Sequence, residues 1–451
     1  MVKQARINQL VDPNSFNPIG QVEGVFAGFG SINGNTVCVF ATDGGGIGQR
    51  QGQIIAQTIQ MATKAGIPII GLWDSSGILV EEGISGLEGY GQIVQSLTQA
   101  SGIVPRIMGL LGSSIGTAAL IPPLVDYLVA VRGLSKTYCN TPHVTKNLTG
   151  EILDVESMAN ADVQEQILAT AHVVTDNESL CFQTIRDLVT YLPSNHLSEA
   201  QKVDAMPRIE KFDGQDINDT EQVVRFISDQ GSFMPIQYNY GKSMLIGFSR
   251  IAGQTIGIVA NQSNVNDGLL EIQGVGKAVR FIRFCNAFNI PIVSLVNSQG
   301  ILPGVSQELG GISKQVAKLV HAYSESTIPK ITIISGKALG SSLLAMGSKW
   351  VGADLVYAWP KAEIAPANLE AMVSLLYYNQ LTSDEDPAKF REEKLDTHRE
   401  EFATPKGALL KGYIDQVISP EETAIAINNG LYLLQGKRVA KLNRKSSNIP
   451  L

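Results

Sequence analysis

Two short glycine-containing segments have a composition that suits stabilisation of a negatively charged oxygen. They read GSSIGTAAL (residues 112–120) and GKALGSSLL (residues 336–344), and each follows an apolar run. We expect both to lead from a buried strand into an apolar helix, whose first N–H groups have no intrahelical acceptor. Such groups can form an oxyanion hole. Close helix–strand packing would explain one such turn equally well, but two at equivalent positions favour a pair of oxyanion holes.

A third glycine-rich segment, ATDGGGIGQRQGQ at residues 41–53, also follows an apolar run. Its glycines Gly44, Gly45 and Gly46 can aim backbone N–H groups at an anion, and Arg50 lies close enough in sequence to pair with a phosphate. The segment is not a Walker A loop, because no GK[ST] follows the glycines. A tight turn without a ligand explains this segment as well.

The side-chain sets of common hydrolases and metalloenzymes are missing from the sequence. It contains no HExxH, and none of its five histidines lies in a glycine turn. Asp74 and Glu82 are the candidate acids, but we expect them to accept hydrogen bonds from turn amides. Any catalysis should therefore depend on backbone donors and on binding.

The segments that would position these turns occur twice along the chain. IPIIGLWDSSGIL begins at Ile67 and IPIVSLVNSQGIL at Ile290, with eight of thirteen positions identical. Three other pairs follow the same order: LVDPNSF with ISDQGSF, GFGSINGNTVCVFA with GFSRIAGQTIGIVA, and PRIMGLLGSSIGTAAL with PKITIISGKALGSSLL. The four offsets are 217, 219, 223 and 224 residues. Matches in constant order and spacing indicate a tandem duplication.

Each half has the pattern of an α/β domain. β-Branched runs such as TIGIVA and KITIIS alternate with amphipathic stretches such as DLVTYL and GGISKQVAKLVHAYSES, which predicts a sheet covered by helices. Neither half opens with the GxGxxG turn of a dinucleotide-binding domain. We place the two domains at residues 1–200 and 201–451.

Composition and charge narrow the class of protein. The net charge of −7 argues against nucleic acid as the main partner. No apolar run reaches the length of a membrane span, and the N-terminus lacks the apolar core of a signal peptide, so we expect a cytoplasmic protein. The four cysteines have no metal-ligand spacing, and we expect reduced thiols in the core and no metal site.

Several longer stretches carry a resemblance to a known family. GGGIGQRQGQ, AGIPIIGLWDSSG, ANQSNVNDGLLEI, KAVRFIRFCNAFNIPIVSLVNSQGILPGVSQELGG and MGSKWVGADLVYAWPKAEIA together resemble the carboxyltransferase (β) subunits of biotin-dependent acyl-CoA carboxylases, of the propionyl-CoA carboxylase type. The resemblance covers nearly the whole chain. It implies two crotonase-like (ClpP/crotonase) domains, the N-terminal one holding the acyl-CoA and the C-terminal one holding biotin.

The resemblance also implies a mechanism. Carboxybiotin on a separate carrier protein loses CO2, the cofactor takes the α-proton of a short acyl-CoA, and the resulting enolate captures the CO2. By position, Gly116, Thr117 and Ala118 should face the thioester oxygen. Gly340, Ser341 and Ser342 should face the ureido oxygen of biotin. The remaining residues that the resemblance assigns to binding of the CoA ester and biotin are Ser76, Gly77, Gly300, Gly304 and Leu344.

The implied partners are an acyl-CoA, a biotin carboxyl carrier protein and a biotin carboxylase subunit. The implied assembly is a hexamer of stacked three-membered rings, with each site between the N-terminal half of one subunit and the C-terminal half of the next. A close relative would be the α-subunit of a sodium-pumping methylmalonyl-CoA-type decarboxylase, which works with a membrane decarboxylase subunit.

Departures from the family pattern keep other functions open. The family usually has Gly-Gly-Ala at both turns, whereas this chain has Thr117, Ser341 and Ser342. A non-catalytic acyl-CoA-binding or assembly subunit is therefore a second alternative. A crotonase-like hydratase or isomerase that needs no biotin is a third.

Overall fold

The computed structural model describes residues 2–208, 210–212, 216–383, 386–439 and 447–450. The chain forms two compact units. Unit 1 comprises Met1–Gln201 and Ala287–Asn289, and unit 2 comprises Lys202–Asn286 and Ile290–Leu451. Each unit contains one sheet flanked by helices.

The sheet of unit 1 has the strand order β1-β2-β3-β4-β5-β6-β8, with β7 paired to the end of β5. The strands β1 to β3 are antiparallel, and the pairs from β3 onward are parallel. The strand bounds are β1 Asn17–Val22, β2 Val25–Ile32, β3 Asn35–Thr42, β4 Ile69–Ser75, β5 Arg106–Ile115, β6 Tyr127–Val131, β7 Lys136–Tyr138 and β8 Val173–Thr175.

The sheet of unit 2 has the same topology, in the order β9-β10-β11-β12-β13-β14-β16 with β15 paired to the end of β13. Its strands are β9 Met234–Ile236, β10 Met244–Ile251, β11 Gln254–Asn261, β12 Ile292–Ser298, β13 Lys330–Leu339, β14 Leu355–Ala358, β15 Glu363–Ala365 and β16 Gln416–Val417. The duplication predicted from the sequence is therefore confirmed at the level of strand order.

The α-helices lie between and after these strands. Unit 1 contains α1 Val2–Leu10, α2 Gln49–Ala65, α3 Ile84–Ala100, α4 Pro142–Thr149, α5 Val155–Met158, α6 Ala161–Gln166 and α7 Glu178–Tyr191. The remaining helices are α8 Thr220–Ile227, α9 Ile272–Ala287, α10 Val305–Gly310, α11 Ile312–Glu325, α12 Gly340–Ala345, α13 Leu369–Leu376, α14 Tyr378–Ser383, α15 Pro387–Phe402, α16 Pro405–Leu410 and α17 Thr423–Leu434. No helix among the described residues is long and apolar enough to cross a membrane.

The register of the central strands is repeated as well. Ser75 at the end of β4 pairs with Ser114 of β5, and Ser298 at the end of β12 pairs with Ala338 of β13. Both pairings follow an irregularity in the ladder, which sets the direction in which the strands end. The two sets of strand ends, where the glycine turns begin, are thus built alike.

The repeated LVDPNSF and ISDQGSF motifs fix the β2–β3 and β10–β11 hairpins. The carboxylate of Asp12 accepts hydrogen bonds of 3.0 Å from the backbone N–H groups of Asn33 and Gly34. Asp229 accepts equivalent bonds of 2.9 and 2.7 Å from Ala252 and Gly253. The residues in these turns have positive φ, a conformation that the aspartate bonds hold in place.

Among the described residues, the sheets and helices enclose a large apolar core in each unit, and unit 2 has a further small apolar cluster at Leu339, Ala365, Leu369 and Ala403. The core of unit 1 is centred on residues such as Phe40, Trp73 and Leu128, and that of unit 2 on residues such as Ile258, Leu295 and Ile333. Apolar residues on β3, β4, β11 and β12 are buried on both faces of the strands, as expected for parallel strands covered by helices on both sides.

Two expectations from the sequence need correction. The segment after Gly116 is a five-residue 3-10 turn, Gly116–Leu120, instead of an apolar α-helix. The reason is visible in the sequence, because Pro122 and Pro123 cannot donate the N–H groups that a continuing helix needs. Cys139 is exposed, whereas Cys38, Cys181 and Cys285 are buried as expected, and none of the four is in a disulfide.

Candidate active site

The turn of unit 1 begins where β5 ends. Ile115 is extended, and Gly116 reverses the chain at a φ of 62°, a conformation in which other residues are strained. Thr117 and Ala118 are not among the residues with positive φ, so the side chains that replace glycine here cause no backbone strain. The N–H groups of Gly116, Thr117 and Ala118 therefore open the 3-10 turn, as an oxyanion hole requires.

A buried hydroxyl group holds this turn against the sheet. Ser114 is fully buried, and its Oγ donates a 2.9 Å hydrogen bond to the carbonyl oxygen of Ala118. The same Oγ accepts a 2.9 Å bond from the indole Nε1 of Trp73. The first turn of unit 1 is thus fixed from the strand side.

The turn of unit 2 begins with a similar backbone conformation but continues as the short α-helix α12. Gly340 follows the extended Leu339 and has a φ of 57°, while Ser341 and Ser342 have ordinary φ values. Ser341 is exposed, but Ser342 is fully buried. The Oγ of Ser342 donates to the carbonyl oxygen of Leu339 at 2.8 Å and also lies 3.3 Å from that of Ser298. The Ser342 side chain therefore faces the protein interior, and only its backbone N–H can serve as a donor to a ligand.

A second glycine lies beside each turn. Gly77 has a φ of 113°, and a Cβ atom added to it would lie 3.1 Å from the carbonyl oxygen of Ile115. In unit 2, Gly300 has a φ of 135°, and its added Cβ would lie 4.0 Å from the carbonyl oxygen of Leu339. In each unit, the fold brings together two of the glycines predicted from the sequence to bind ligand.

Equivalent serines hold these second glycines. Ser75 Oγ accepts a 3.3 Å bond from Gly77 N–H, and Ser298 Oγ accepts a bond of the same length from Gly300 N–H. In unit 1, the hydroxyl of Tyr90 also donates to Gly77 O at 2.9 Å and lies 3.0 Å from Ser75 Oγ. Burial raises the pKa of Tyr90 to about 12, with the bond to Ser75 opposing it, so its hydroxyl stays protonated and available as a donor.

The glycine loop after β3 packs against the strand end of β4. Gly44 N–H donates to the carbonyl oxygen of Asp74 at 3.0 Å, and a Cβ on Gly46 would lie 3.1 Å from the Cα of Leu79. Gly45 O accepts a 3.4 Å bond from Ser76 N–H. The N–H of Gly44 is thus occupied, and close packing accounts for Gly46.

Arg50 is exposed in the first turn of α2. Gln49 N–H, at the start of that helix, donates to the carboxylate of Glu82 at 2.7 Å. That carboxylate therefore occupies a donor that a phosphate could otherwise use. Binding of an anion by Gly44, Gly45, Gly46 and Arg50 stays a prediction.

Asp74 and Glu82 accept hydrogen bonds from backbone amides as predicted, but the donors lie at the end of strand β5 and at the first residue of α2 instead of in turns. Asp74 Oδ1 accepts a 3.0 Å bond from Ser113 N–H, and a Cβ on Gly112 would lie 2.0 Å from the Asp74 carboxyl carbon. The pKa of Asp74 is raised, chiefly by burial, while the Ser113 N–H and the charge of Arg6 act in the opposite direction. Both carboxylates act in positioning the loops.

Unit 2 contains a polar pocket at the carboxyl ends of β11, β12 and β13, of about 690 Å³. Side-chain amides and two lysines dominate its lining, which includes Asn218, Asn264, Asn266, Asn297, Gln299, Lys337 and Lys361. Gly304, with a φ of 143°, lies at the start of α10, and Leu344 on α12 is 42% exposed. Sequence reasoning missed this pocket, although NSQG and GKALG, which contribute to it, were singled out for other reasons.

The described residues contain no group of three or more His, Cys, Asp or Glu side chains that could hold a metal ion. The donors near the glycine turns are backbone N–H groups. Such an arrangement suits a reaction that develops charge on an oxygen and takes its reactive group from a bound molecule.

Comparison with known proteins gives consistent matches over the whole chain. The model of the carboxyl transferase domain matches residues 4–449. The carboxyltransferase subunit of propionyl-CoA carboxylase from Haloferax mediterranei is 39% identical over 95% of this chain and 86% of that relative. The methylmalonyl-CoA decarboxylase subunit alpha of Veillonella parvula is 37% identical over 100% of this chain and 93% of its own length.

A solved structure agrees with these matches. It is the transcarboxylase 12S hexamer with methylmalonyl-coenzyme A and methylmalonic acid bound, at a TM-score of 0.94 and 33% identity, covering 100% of this chain and 92% of the other. The predicted fold class, two crotonase-like α/β domains in tandem, is confirmed.

Proposed function

Because this chain belongs to the carboxyl transferase domain family, we infer that it is a biotin-dependent carboxyltransferase acting on CoA esters of the propionyl- and methylmalonyl-CoA type. It moves a carboxyl group between carboxybiotin on a carrier protein and the α-carbon of a short acyl-CoA. The observation that carries this proposal is the pair of equivalent turns at Gly116 and Gly340, with φ values of 62° and 57°. One reaction with two developing oxyanions needs two such turns.

In the proposal, unit 1 holds the acyl-CoA. The N–H groups of Gly116, Thr117 and Ala118 stabilise the thioester oxygen as the α-proton leaves, because charge then accumulates on that oxygen. Ser76 and Gly77 form the side of the acyl-CoA site that faces this turn. The phosphates of CoA are assigned to Arg50 and the loop of Gly44, Gly45 and Gly46, with Arg50 supplying the positive charge because the N–H of Gly44 is occupied.

Unit 2 holds biotin in the proposal. Bound carboxybiotin supplies the carboxyl group and the base, so the chain needs no side-chain base of its own. The N–H groups of Gly340, Ser341 and Ser342 donate to the ureido oxygen. Gly300 and Gly304 lie beside biotin, and Leu344 adds apolar surface to the biotin site. Gln299 of the amide-rich pocket directly precedes Gly300, but none of the residues assigned here to biotin lines that pocket.

We further propose the assembly and the partners. Each complete site would form between unit 1 of one subunit and unit 2 of the next, in a hexamer like that of transcarboxylase 12S. The partners would be a biotin carboxyl carrier protein and a biotin carboxylase subunit.

A second candidate function is the reverse half-reaction. It is motivated by the likeness to the methylmalonyl-CoA decarboxylase subunit alpha of Veillonella parvula, which covers all of this chain. The transfer step is the same in both enzymes, and the partner differs. Co-purification with a biotin carboxylase would support carboxylation, and co-purification with a membrane decarboxylase subunit would support decarboxylation.

One feature argues against a non-catalytic subunit, and another against a hydratase. Thr117, Ser341 and Ser342 all have ordinary φ values, so the turns keep their donor geometry despite the substitutions. A hydratase would need a pair of acids at the turn, whereas Asp74 and Glu82 are engaged by backbone amides.

The test is a transfer assay with purified chain. Propionyl-, acetyl- and butyryl-CoA derivatives that carry a labelled carboxyl group on the α-carbon would be incubated with biocytin, and label in biocytin measured. Transfer from one ester above the others would identify the substrate. Binding of CoA esters without transfer would instead support the non-catalytic subunit, and hydration of crotonyl-CoA without biotin would support the hydratase.

A further inference from the structure

The two oxyanion turns have nearly the same backbone but are held by hydroxyl groups from different positions. In unit 1 the hydroxyl belongs to Ser114 on the strand, and the equivalent of Ser342 is Ala118. In unit 2 the hydroxyl belongs to Ser342 on the turn, and the strand residue equivalent to Ser114 is Ala338. The hydroxyl that holds the turn therefore comes from the strand in unit 1 and from the turn itself in unit 2.

The indole that accompanies the hydroxyl of unit 1 is also replaced. Trp73 donates its Nε1–H to Ser114, and the residue at the equivalent point of β12 is Val296, which has no side-chain donor. A hydroxyl at position 338 would therefore lack the partner that Ser114 has. The three positions change together, which indicates two alternative solutions to one structural requirement.

The two solutions hold different peptide groups. Ser114 bonds to the carbonyl oxygen of Ala118, which belongs to the peptide between residues 118 and 119. Ser342 bonds to the carbonyl oxygen of Leu339, which belongs to the peptide that also contains the N–H of Gly340. Because a peptide group is planar and trans, fixing its carbonyl oxygen also fixes the direction of its N–H on the opposite side.

We propose that Ser342 is a positioning residue that orients the N–H of Gly340 through the carbonyl of Leu339 and ties the turn to the end of β12. Serine back-bonds of this kind occur in many helices. Here Ser342 is fully buried, and its Oγ also lies 3.3 Å from the carbonyl oxygen of Ser298, in the strand that leads to Gly300. The inference rests on the proposed function, because it assigns Ser342 a role in the biotin half of that reaction.

The test compares Ser342→Ala with Ser335→Ala. Ser335 is similarly buried on β13 and lies 3.4 Å from the carbonyl oxygen of Val296, so its loss removes a hydroxyl without touching the turn. Carboxyl transfer from labelled methylmalonyl-CoA to biocytin, and thermal unfolding, would be measured for both. We expect Ser342→Ala to lower kcat about 10- to 100-fold with KM for the CoA ester unchanged, and Ser335→Ala to stay within about twofold of wild type.

Two further variants separate positioning from simple stability. Ser342→Cys keeps a weak donor of similar size, and we expect it to recover part of the lost kcat. The double variant Ala338→Ser with Ser342→Ala moves the hydroxyl to the position that it has in unit 1, without the indole partner of Ser114. It holds the wrong peptide, and we expect kcat to stay low even where the melting temperature recovers.

The outcomes distinguish this inference from the proposed function. A wild-type chain that moves no label would overturn both. An active wild type with Ser342→Ala equal to Ser335→Ala in kcat would overturn the positioning role alone. Full recovery of kcat in the double variant would also overturn it, because any buried hydroxyl would then suffice.

Discussion

The carboxylate of Asp74 accepts a 3.0 Å hydrogen bond from the backbone N–H of Ser113, at the carboxyl end of the neighbouring strand. The amide oxygen of Asn297 accepts a 2.9 Å bond from Lys337 N–H at the equivalent place in unit 2. A carboxylate in unit 1 and a neutral amide in unit 2 thus accept the same backbone hydrogen bond from the neighbouring strand. Only the acceptor oxygen is needed to join the strand ends that carry the glycine turns.

Asp74→Asn should therefore keep the fold of unit 1. Burial raises the pKa of Asp74 in the folded state, so its ionised form costs stability at neutral pH. We expect the variant to unfold at a denaturant concentration equal to or above that of wild type at about pH 7. The difference should shrink as the pH falls through the raised pKa of Asp74 towards that of the unfolded chain. Urea titrations at about pH 7 and at a series of lower pH values test this, and earlier unfolding of the variant at about pH 7 would contradict it.

Gly116→Ala should abolish most of the transfer activity. At a φ of 62°, alanine costs about 1 kcal/mol of strain, and relaxation of that strain rotates the N–H groups of the turn. We expect a loss in kcat of about 100-fold, typical of removal of one oxyanion donor. Gly133→Ala is the control, because Gly133 has a φ of 73° and open space around its added Cβ. Equal losses in both variants would show that strain alone, and not the position of the turn, lowers the activity.

Glu82→Gln should weaken the start of α2. The Glu82 carboxylate accepts the 2.7 Å bond from Gln49 N–H, and an anion at this end of a helix is favoured by the helix dipole. We expect the free energy of unfolding to fall by about 1 kcal/mol. Glu81→Gln is the matched control, since Glu81 is exposed and adjacent. The cap would have no energetic role if the two variants unfolded at the same urea concentration.

Lys330 should make stability depend on pH in the alkaline range. Burial lowers the pKa of Lys330 to about 8 from 10.5, with a further lowering by Lys437 and an opposing effect of Asp354. Between these two values the unfolded chain binds more protons than the folded one, so the stability contributed by this group rises with pH. We therefore expect the free energy of unfolding of Lys330→Met, measured by urea titration, to rise less with pH over this range than that of wild type. If the free energy of unfolding changed with pH equally in the two proteins from about pH 8 to about pH 10, the lowered pKa of Lys330 would be contradicted.

The sequence was sufficient to predict the duplication and the two glycine turns. Both predictions rest on sequence patterns that occur twice. A position that requires positive φ, such as that of Gly116, is occupied by glycine and can therefore be recognised in the sequence. The role of Asp74 was predictable for a similar reason, since it directly precedes a turn. The inward orientation of Ser342 was not, because it depends on the rotamer of a hydroxyl and on the position of Ser298 in another strand.

The short turn after Gly116 could have been predicted from Pro122 and Pro123. The exposure of Cys139 could not, because it depends on how the chain leaves β7. The polar pocket of unit 2 forms where the ends of three strands meet. A local sequence pattern cannot predict it, because the three strands are far apart in the chain.

The central claim is that each half of the duplication stabilises one of two oxyanions in a single carboxyl transfer. Its most direct test is the rate of labelled carboxyl transfer from methylmalonyl-CoA to biocytin by wild type, Gly340→Ala and Gly412→Ala. Gly412 has a φ of 74° with open space around its added Cβ, so it controls for strain in the same unit. We predict transfer by wild type and Gly412→Ala, and a loss of about 100-fold in Gly340→Ala. Undiminished transfer by a folded Gly340→Ala variant, or none by a wild type that binds CoA esters, would contradict the claim.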